Sequence, residues 1–204
     1  MSGTSADGVN AVLANFKGSP SNPKYKILNT SFKPYPQELQ KKIIDTGQGL
    51  KLNAKEWLEI TESITDVHAQ AAIECDPKSR SKIIGCHGQT VWHEAPNKKR
   101  RGASLQLLNA SLLAELLKIP VIHNFRALDM ALGGQGAPLV PLTDEALLGK
   151  TEGWRACLNL GGIANLTLIP PKHGPDHLCP TLGWDSGPAK LANKFEVRPK
   201  LFRI

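Results

Sequence analysis

The stretch ACLNLGGIANLTLI, residues 156–169, reads as two short apolar strands, Ala156 to Leu160 and Asn165 to Ile169, folded back on one another at Gly161-Gly162. A glycine hairpin of this kind can turn backbone N–H groups towards a phosphate. In isolation it serves equally well as a plain hairpin turn. A comparable turn opens the chain. In MSGTSADGVN, residues 1–10, the small residues Gly3, Ala6 and Gly8 allow backbone N–H groups to approach phosphate oxygens. Thr4 and Ser5 add hydroxyls, and Asp7 can hold a metal or a water. The loop is not a Walker A motif, because no Gly-Lys-Ser/Thr follows. Val9 to Ala14 then reads as a strand. A turn at residues 2–5 implies a strand to turn from, so the reading expects a first strand lacking most of its residues.

Outward from these turns, strands and helices alternate, which makes the class α/β. Residues 15–26, with Gly18, Pro20 and Pro23, read as a loop, and Tyr25 to Phe32 as a strand. A helix is expected over 37–46. A longer one is expected over 54–74, with Trp57, Ile60, Ile64, Val67, Ala71 and Ile73 close to helical spacing. Lys82 to Cys86 is a short buried strand, followed by a loop at 87–90. Ser104 to Leu108, Val121-Ile122 and a helix at 110–117 follow, then a glycine loop at 133–138 and a helix within 139–148. Two glycine turns set between hairpin strands in one α/β chain point to the actin/hexokinase-like (RNase H-like) two-lobed fold. Residues 1–140 form the first lobe and 141–204 the start of the second.

Composition narrows the class. Hydrophobic residues make up 41% and charged residues 21%, ordinary for a soluble globular protein. No apolar run approaches the about 20 residues that cross a bilayer, and no signal peptide is legible, so the expected location is the cytoplasm. The four cysteines form no CxxC pair and show no zinc spacing. Cys86 and Cys157 lie in apolar runs and read as buried thiols. The net charge of +7 includes the run Lys98-Lys99-Arg100-Arg101, which reads as a solvated loop because no RNA-binding pattern accompanies it.

Three further constellations can carry chemistry. His87, Gln89 and Thr90 follow a buried strand, and open α/β sheets bind ligands at the carboxyl ends of their strands. His87 is there either a substrate hydrogen-bonding group or a satisfied structural histidine. Arg126 can clamp an anion and Asp129 orient it, ahead of the close-approach loop Gly133 to Pro138. The alternative is a helix-terminal ion pair. Finally, GWDSGP, residues 183–188, places Asp185 on a rigid exposed turn, where a carboxylate can take a proton from a nucleophile.

With these motifs in view, the chain resembles the anhydro-N-acetylmuramic acid kinase family. MSGTSADGVN is similar to the family's MSGTSxDGxD, and IGCHGQTVWHEAP (84–96) to its (S/C)HGQT block. SLQLLNASLLAELLKIPVIHNFRALDMALGGQGAPLVP (104–141), LNLGGIANLTLI (158–169) and GWDSGP also match. The resemblance implies use of ATP and Mg2+ to phosphorylate 1,6-anhydro-N-acetylmuramic acid while water opens the anhydro ring. The product is N-acetylmuramic acid 6-phosphate, formed in peptidoglycan recycling. It assigns Gly3, Thr4, Ser5, Ala6, Asp7, Gly8, Val9 and Asn10 to an ATP phosphate loop, and Gly161 and Gly162 to a second. Asp185 becomes the water-activating base, and His87, Gln89 and Arg126 lie near the sugar. No protein metal ligand is assigned. The implied partners are ATP and an amino sugar, without nucleic acid or membrane, and a homodimer is allowed.

Departures bear on these roles. Asn10 and Asn124 stand where the family has Asp, Ala127 and Leu128 replace basic residues, and GPAK (187–190) replaces GPGN. From Lys190 onward no match is expected. The reading therefore anticipates a chain inactive alone, because the second lobe stops early. Its competitors are action on a different anhydro sugar, a non-catalytic sugar-binding remnant, and a pseudogene product.

Overall fold

The computed structural model describes residues 2, 3, 5–160 and 163–188. Contacts divide the chain into two compact units, residues 1–137 and 138–204, and the class is mixed α/β with small sheets.

The first unit opens with a long antiparallel hairpin of β1 (Gly8–Ser19) and β2 (Asn22–Pro34). The loop expected over 15–26 is absent. Instead the strands run to a tight turn at Pro20-Ser21, with Ser19 opposite Asn22. Cross-strand pairing outweighs the local breakers. Phe16 and Tyr25 are register partners whose rings lie 6.2 Å apart, and Pro23 sits in a two-stranded ribbon with no ladder on its other side among the described residues. Gly8 is required where β1 starts, because a Cβ there would lie 2.3 Å from the Lys33 carbonyl oxygen of β2.

Helices α1 (Gln37–Gly47) and α2 (Ala54–Cys75) follow. A capping box sets the start of α2: the Glu56 N–H donates to Asn53 Oδ1 at 3.0 Å, and the Asn53 N–H to Glu56 Oε2 at 2.8 Å. The α2 residues Ile60, Ile64, Val67 and Ala71 recur at helical spacing and carry the core with Val9, Tyr35, Ile43, Val91 and Leu107. Ser31 Oγ donates to the Ala71 carbonyl at 2.7 Å and Asn29 Nδ2 to that of Cys75 at 2.8 Å, which ties the hairpin to α2.

Next come β3 (Ile84–Cys86), β4 (Gln89–Glu94), β5 (Ala103–Leu107), α3 (Ala110–Leu117), β6 (Val121–His123) and the short α4 (Ala127–Ala131). β3 pairs in parallel with β6, and β4 pairs antiparallel with β5. The loop expected at 87–90 therefore shortens to His87 and Gly88, since Gln89 and Thr90 pair with Leu107 and Gln106. Ala69, Cys86 and Leu113 form a second core cluster joining α2, β3 and α3.

The second unit holds α5 (Pro141–Leu148) and a three-stranded antiparallel sheet of β7 (Arg155–Leu160), β8 (Ile163–Ile169) and β9 (Leu182–Pro188), with β8 central. Thr167 Oγ1 on β8 donates to Asp144 Oδ2 on α5 at 2.7 Å. Residues 183–188 are not the turn expected from Gly, Asp and Pro, but strand β9, because β8 offers them a free edge. Cys86 is buried, whereas Cys157 on the outer strand β7 is only half-buried, a second departure from expectation.

Candidate active site

The second unit lines up three polar side chains across its sheet. Asn159 on β7 is the register partner of Asn165 on β8, which is the partner of Asp185 on β9. Asn159 Nδ2 donates to Asn165 Oδ1 at 3.3 Å, and Asn165 Nδ2 donates to Asp185 Oδ1. The Asp185 carboxylate is exposed, and this row fixes its orientation while leaving Oδ2 to accept a proton. Sequence reading missed both asparagines. The one signal available was that an asparagine stands within three residues of Gly161-Gly162 on either side. Gly161 and Gly162 themselves lie outside the described residues.

In the first unit, the Ala6 N–H donates to the Gly3 carbonyl at 3.1 Å, which turns the chain ahead of β1. Two anchors hold it: Ser2 Oγ donates to the Gly88 carbonyl and Gln89 Nε2 to that of Gly3, both at 3.1 Å. Gln89 is thus a buried brace for the turn. Ala6 is fully buried with a positive φ of 50°, and Val9 belongs to the core. Neither side chain is free to meet a ligand. Gly3, where an added Cβ would meet only Ser5 Oγ at 3.8 Å, leaves open backbone beside the Ser5 hydroxyl, and Asp7 Oδ1 accepts from Gln40 Nε2 at 3.5 Å. These fit a phosphate and its counter-ion. Asn10 is exposed on β1, and Thr4 lies outside the described residues.

His87 lies at the end of β3, 95% buried by its 5% exposure, with its ring stacked on Phe125 at 6.1 Å and 5°. Burial, then the Arg126 charge, push its pKa down from 6.5 to about 4, so the ring is neutral at physiological pH. Gln106 Nε2 donates to Thr90 Oγ1 at 3.4 Å, and the same hydroxyl is hydrogen-bonded to His87 Nε2 at 3.2 Å. A neutral ring accepting at Nε2 carries its proton on Nδ1. That Nδ1 is buried and has no partner among the described residues. His87 borders a cavity of about 200 Å³ with Ser104, Gln106, Leu108, His123 and Asn124. Asn124 adopts a φ of 58°, a conformation asparagine tolerates better than most residues. The cup presents hydroxyl, amide and imidazole groups and no carboxylate, suited to the hydroxyls of a neutral sugar ring.

Arg126 stands at the start of α4, and its Nη1 donates to the Gly136 carbonyl. Asp129 Oδ2 accepts from the Gly136 N–H at 2.7 Å, and its carbonyl accepts from the Gly134 N–H at 2.8 Å. Both side chains therefore hold the loop at Gly136, Arg126 at its carbonyl and Asp129 at its N–H. Gly134 is required, since a Cβ there would lie 2.3 Å from the Asp129 carboxylate. Among the described residues, no group of three or more His, Cys, Asp or Glu side chains is gathered to hold a metal, and no helix is long and apolar enough to cross a membrane.

A mixed α/β chain with a small-residue turn, a polar cup and a hydrogen-bonded carboxylate is of the kind expected of a small-molecule group-transfer enzyme. Its sequence matches the family model described as anhydro-N-acetylmuramic acid kinase over residues 1–195. Proteins named anhydro-N-acetylmuramic acid kinase are 65% identical in Prochlorococcus marinus (strain MIT 9313), over 93% of this chain and 50% of the relative. In Synechococcus sp. (strain CC9605) identity is 59% over the same shares. In Prochlorococcus marinus (strain MIT 9211) it is 57%, over 98% of this chain and 53% of the relative. The chain belongs to the anhydro-N-acetylmuramic acid kinase family, and it spans about half the length of the curated relatives it matches.

Proposed function

We propose that the residues described here form the sugar-holding and water-activating part of an ATP-dependent kinase of 1,6-anhydro-N-acetylmuramic acid with an actin/hexokinase-like two-lobed fold. Residues 1–140 are its first lobe and 141–204 the start of its second. ATP with Mg2+ supplies the phosphoryl group when bound, and Gly3, Ser5 and Asp7 would hold its phosphate end. Asp185 Oδ2 takes a proton from water as the water oxygen adds to the anomeric carbon. The bond from that carbon to the bridging oxygen breaks, and that oxygen becomes the phosphoryl acceptor. Asn165 keeps the carboxylate aimed through the step. His87, neutral and protonated at Nδ1, donates to the sugar and does not compete as a base.

The observation that carries this reading is the Asn159–Asn165–Asp185 row on a chain of this family. The test joins residues 1–188 to the remaining half of the Prochlorococcus marinus MIT 9313 relative and measures formation of the 6-phosphate. Asp185→Asn is expected to lower kcat by roughly 10²- to 10⁴-fold while leaving the KM for the sugar within a few-fold. Unchanged kcat would remove Asp185 from the role of base. The half-length match favours a second reading for the chain alone, sugar binding without turnover. ATP-dependent turnover by the purified 204-residue chain would defeat it.

A further inference from the structure

Strands β4 and β5 carry an irregularity beside the polar cup. Gln89 pairs with Leu107 and Thr90 with Gln106, but the next pairs are Trp92 with Leu105 and His93 with Ser104, so Val91 is an extra residue on β4. Side chains alternate across a strand, and in a regular ladder Thr90 would share its face with Trp92. The bulge turns Trp92 to the opposite face and puts His93 on the face of Thr90. Gln106 and Ser104, two apart on β5 and opposite those residues, lie on that face as well. Val91 enters the core with Leu107. The result is a polar row of Thr90, Gln106, Ser104 and His93, of which Gln106 and Ser104 line the cup.

Gln106 joins the members of this row. Its Nε2 lies 2.6 Å from Ser104 Oγ and 3.4 Å from Thr90 Oγ1. A side-chain amide nitrogen has two hydrogens and no acceptor capacity, so it donates to both. Ser104 fixes which way the amide lies. The single hydroxyl hydrogen of Ser104 goes to the Trp92 carbonyl at 3.3 Å, so its oxygen accepts from Gln106. Thr90 Oγ1 has the partners Gln106 Nε2 and, at 3.2 Å, His87 Nε2. Gln106 can only donate there. Among the described residues, the acceptor within reach of the Thr90 hydrogen is therefore His87 Nε2. His87 Nδ1 is buried with no partner among the described residues. No hydrogen bond on that side of the ring selects a tautomer, so the selection runs through Thr90 to Gln106.

We propose that Gln106 is a positioning residue of the cup: by donating to Thr90 it points the hydroxyl hydrogen at His87 Nε2 and so keeps the imidazole proton on Nδ1. The proposal rests on the reading of the cup as a sugar site and adds the residue that sets its hydrogen-bond polarity. Gln106 acts on the sugar through His87, which it holds in the form of a donor.

The test reverses that polarity. Gln106→Glu keeps the length of the side chain and replaces the amide donor by a carboxylate that only accepts at about pH 8. Thr90 must then donate to it, which leaves Thr90 Oγ1 to accept from His87. Nitrogen-15 shifts of the His87 ring, read in the full chain without ligand, are expected to place the proton on Nδ1 in the unaltered chain and on Nε2 in Gln106→Glu. Gln106→Met removes the donor without adding a charge and is expected to populate both tautomers. It carries the test if the glutamate variant does not fold. A residue that merely braced the β4–β5 ladder would leave the tautomer where it was. A proton that stays on Nδ1 alone in either folded variant overturns the proposal, as does one on Nε2 in the unaltered chain. In the joined protein described above, Gln106→Glu is expected to raise the KM for 1,6-anhydro-N-acetylmuramic acid about tenfold while kcat stays within a few-fold. An unchanged KM beside a changed tautomer overturns the role of Gln106 in holding the sugar. The ring measurement needs no turnover, so its failure is distinct from failure of the kinase reading, which Asp185→Asn decides.

Discussion

Acid should unfold the first unit earlier than its carboxylates alone would dictate, and two histidines set the size of the effect. His68 and His87 are 4% and 5% exposed. Burial first, and for His87 also the Arg126 charge, push both pKa values from 6.5 to about 4. His68 is neutral with its proton on Nδ1, since Nδ1 lies 2.8 Å from the Ile64 carbonyl, an acceptor. The unfolded chain takes up these protons below about pH 6.5, and the folded chain not until about pH 4. Stability is therefore intact above pH 6.5 and falls as the pH drops towards 4. Each histidine contributes a slope of about 1.4 kcal/mol per pH unit within that window. Between pH 7 and pH 5 each removes about 2 kcal/mol, and the pair about 4 kcal/mol, a large share of a stability of about 5–15 kcal/mol. Asp76 acts lower. Its burial would raise its pKa, but hydrogen bonds from Ser81 and Arg80 bring it to about 2, so its contribution is lost only below about pH 4. The assay is urea denaturation at pH 7, 6 and 5 by fluorescence, with the histidine ring protons titrated by NMR. His68→Gln and His87→Gln should each remove about half the slope. A stability flat from pH 7 to pH 5, or a slope unchanged in the double variant, would refute the reasoning.

Three other outcomes follow from packing. Ile64 is fully buried in the α2 core, so Ile64→Ala should cost about 2–5 kcal/mol in urea denaturation, while Leu128→Ala, at an exposed site, should stay within about 0.5 kcal/mol. Equal effects would show that the core is not where the structure places it. Gly134→Ala brings a Cβ to 2.3 Å from the Asp129 carboxylate and should cost about 1–3 kcal/mol, with faster amide exchange at Gly136. Unchanged exchange there would count against the Asp129 brace. Leu158 and Trp184 are exposed and both flank Leu166 in register across the second unit's sheet. Leu158→Lys with Trp184→Lys should raise solubility without lowering the thermal midpoint, and a lower midpoint would mean that this face is already covered.

The parts of the fold legible in the sequence are those whose signal is local. Helix α2 is read to within a residue from its apolar spacing, and the Asn53–Glu56 box found in the structure sets the same start. The distal hairpin is not legible, because Gly18, Pro20 and Pro23 act as breakers locally, while the Phe16–Tyr25 pair that overrides them acts across strands. Strand β9 hides for the same reason: Gly183, Gly187 and Pro188 are poor strand formers, and only the free edge of β8 makes them one. The site divides along this line. The Ser2–Gly8 turn and the His87–Thr90 block stand out as motifs. The Asn165 contact with Asp185 joins residues 20 apart, and Gln106 reaches Thr90 from 16 residues away. No window of sequence contains those pairs.

The same burial that makes His87 a liability in acid defines its chemistry. Its Nε2 is bonded to the Thr90 hydroxyl, and in the proposed tautomer its buried Nδ1, which has no partner among the described residues, carries the proton. A base needs a free lone pair, so this ring has none to offer and can act only as a donor. Leaving that donor unmet inside the protein costs about 1–3 kcal/mol, which a ligand oxygen in the adjoining cup would recover. In the proposed reaction proton abstraction belongs to Asp185, whose Oδ1 accepts from the Asn165 amide. Thr90→Val frees Nε2 and lets the ring change tautomer. It should weaken sugar binding while leaving the orientation of Asp185 untouched. Nitrogen-15 chemical shifts of the two ring nitrogens report the tautomer directly. A His87 ring protonated at Nε2 in the unaltered chain would undo the division of roles.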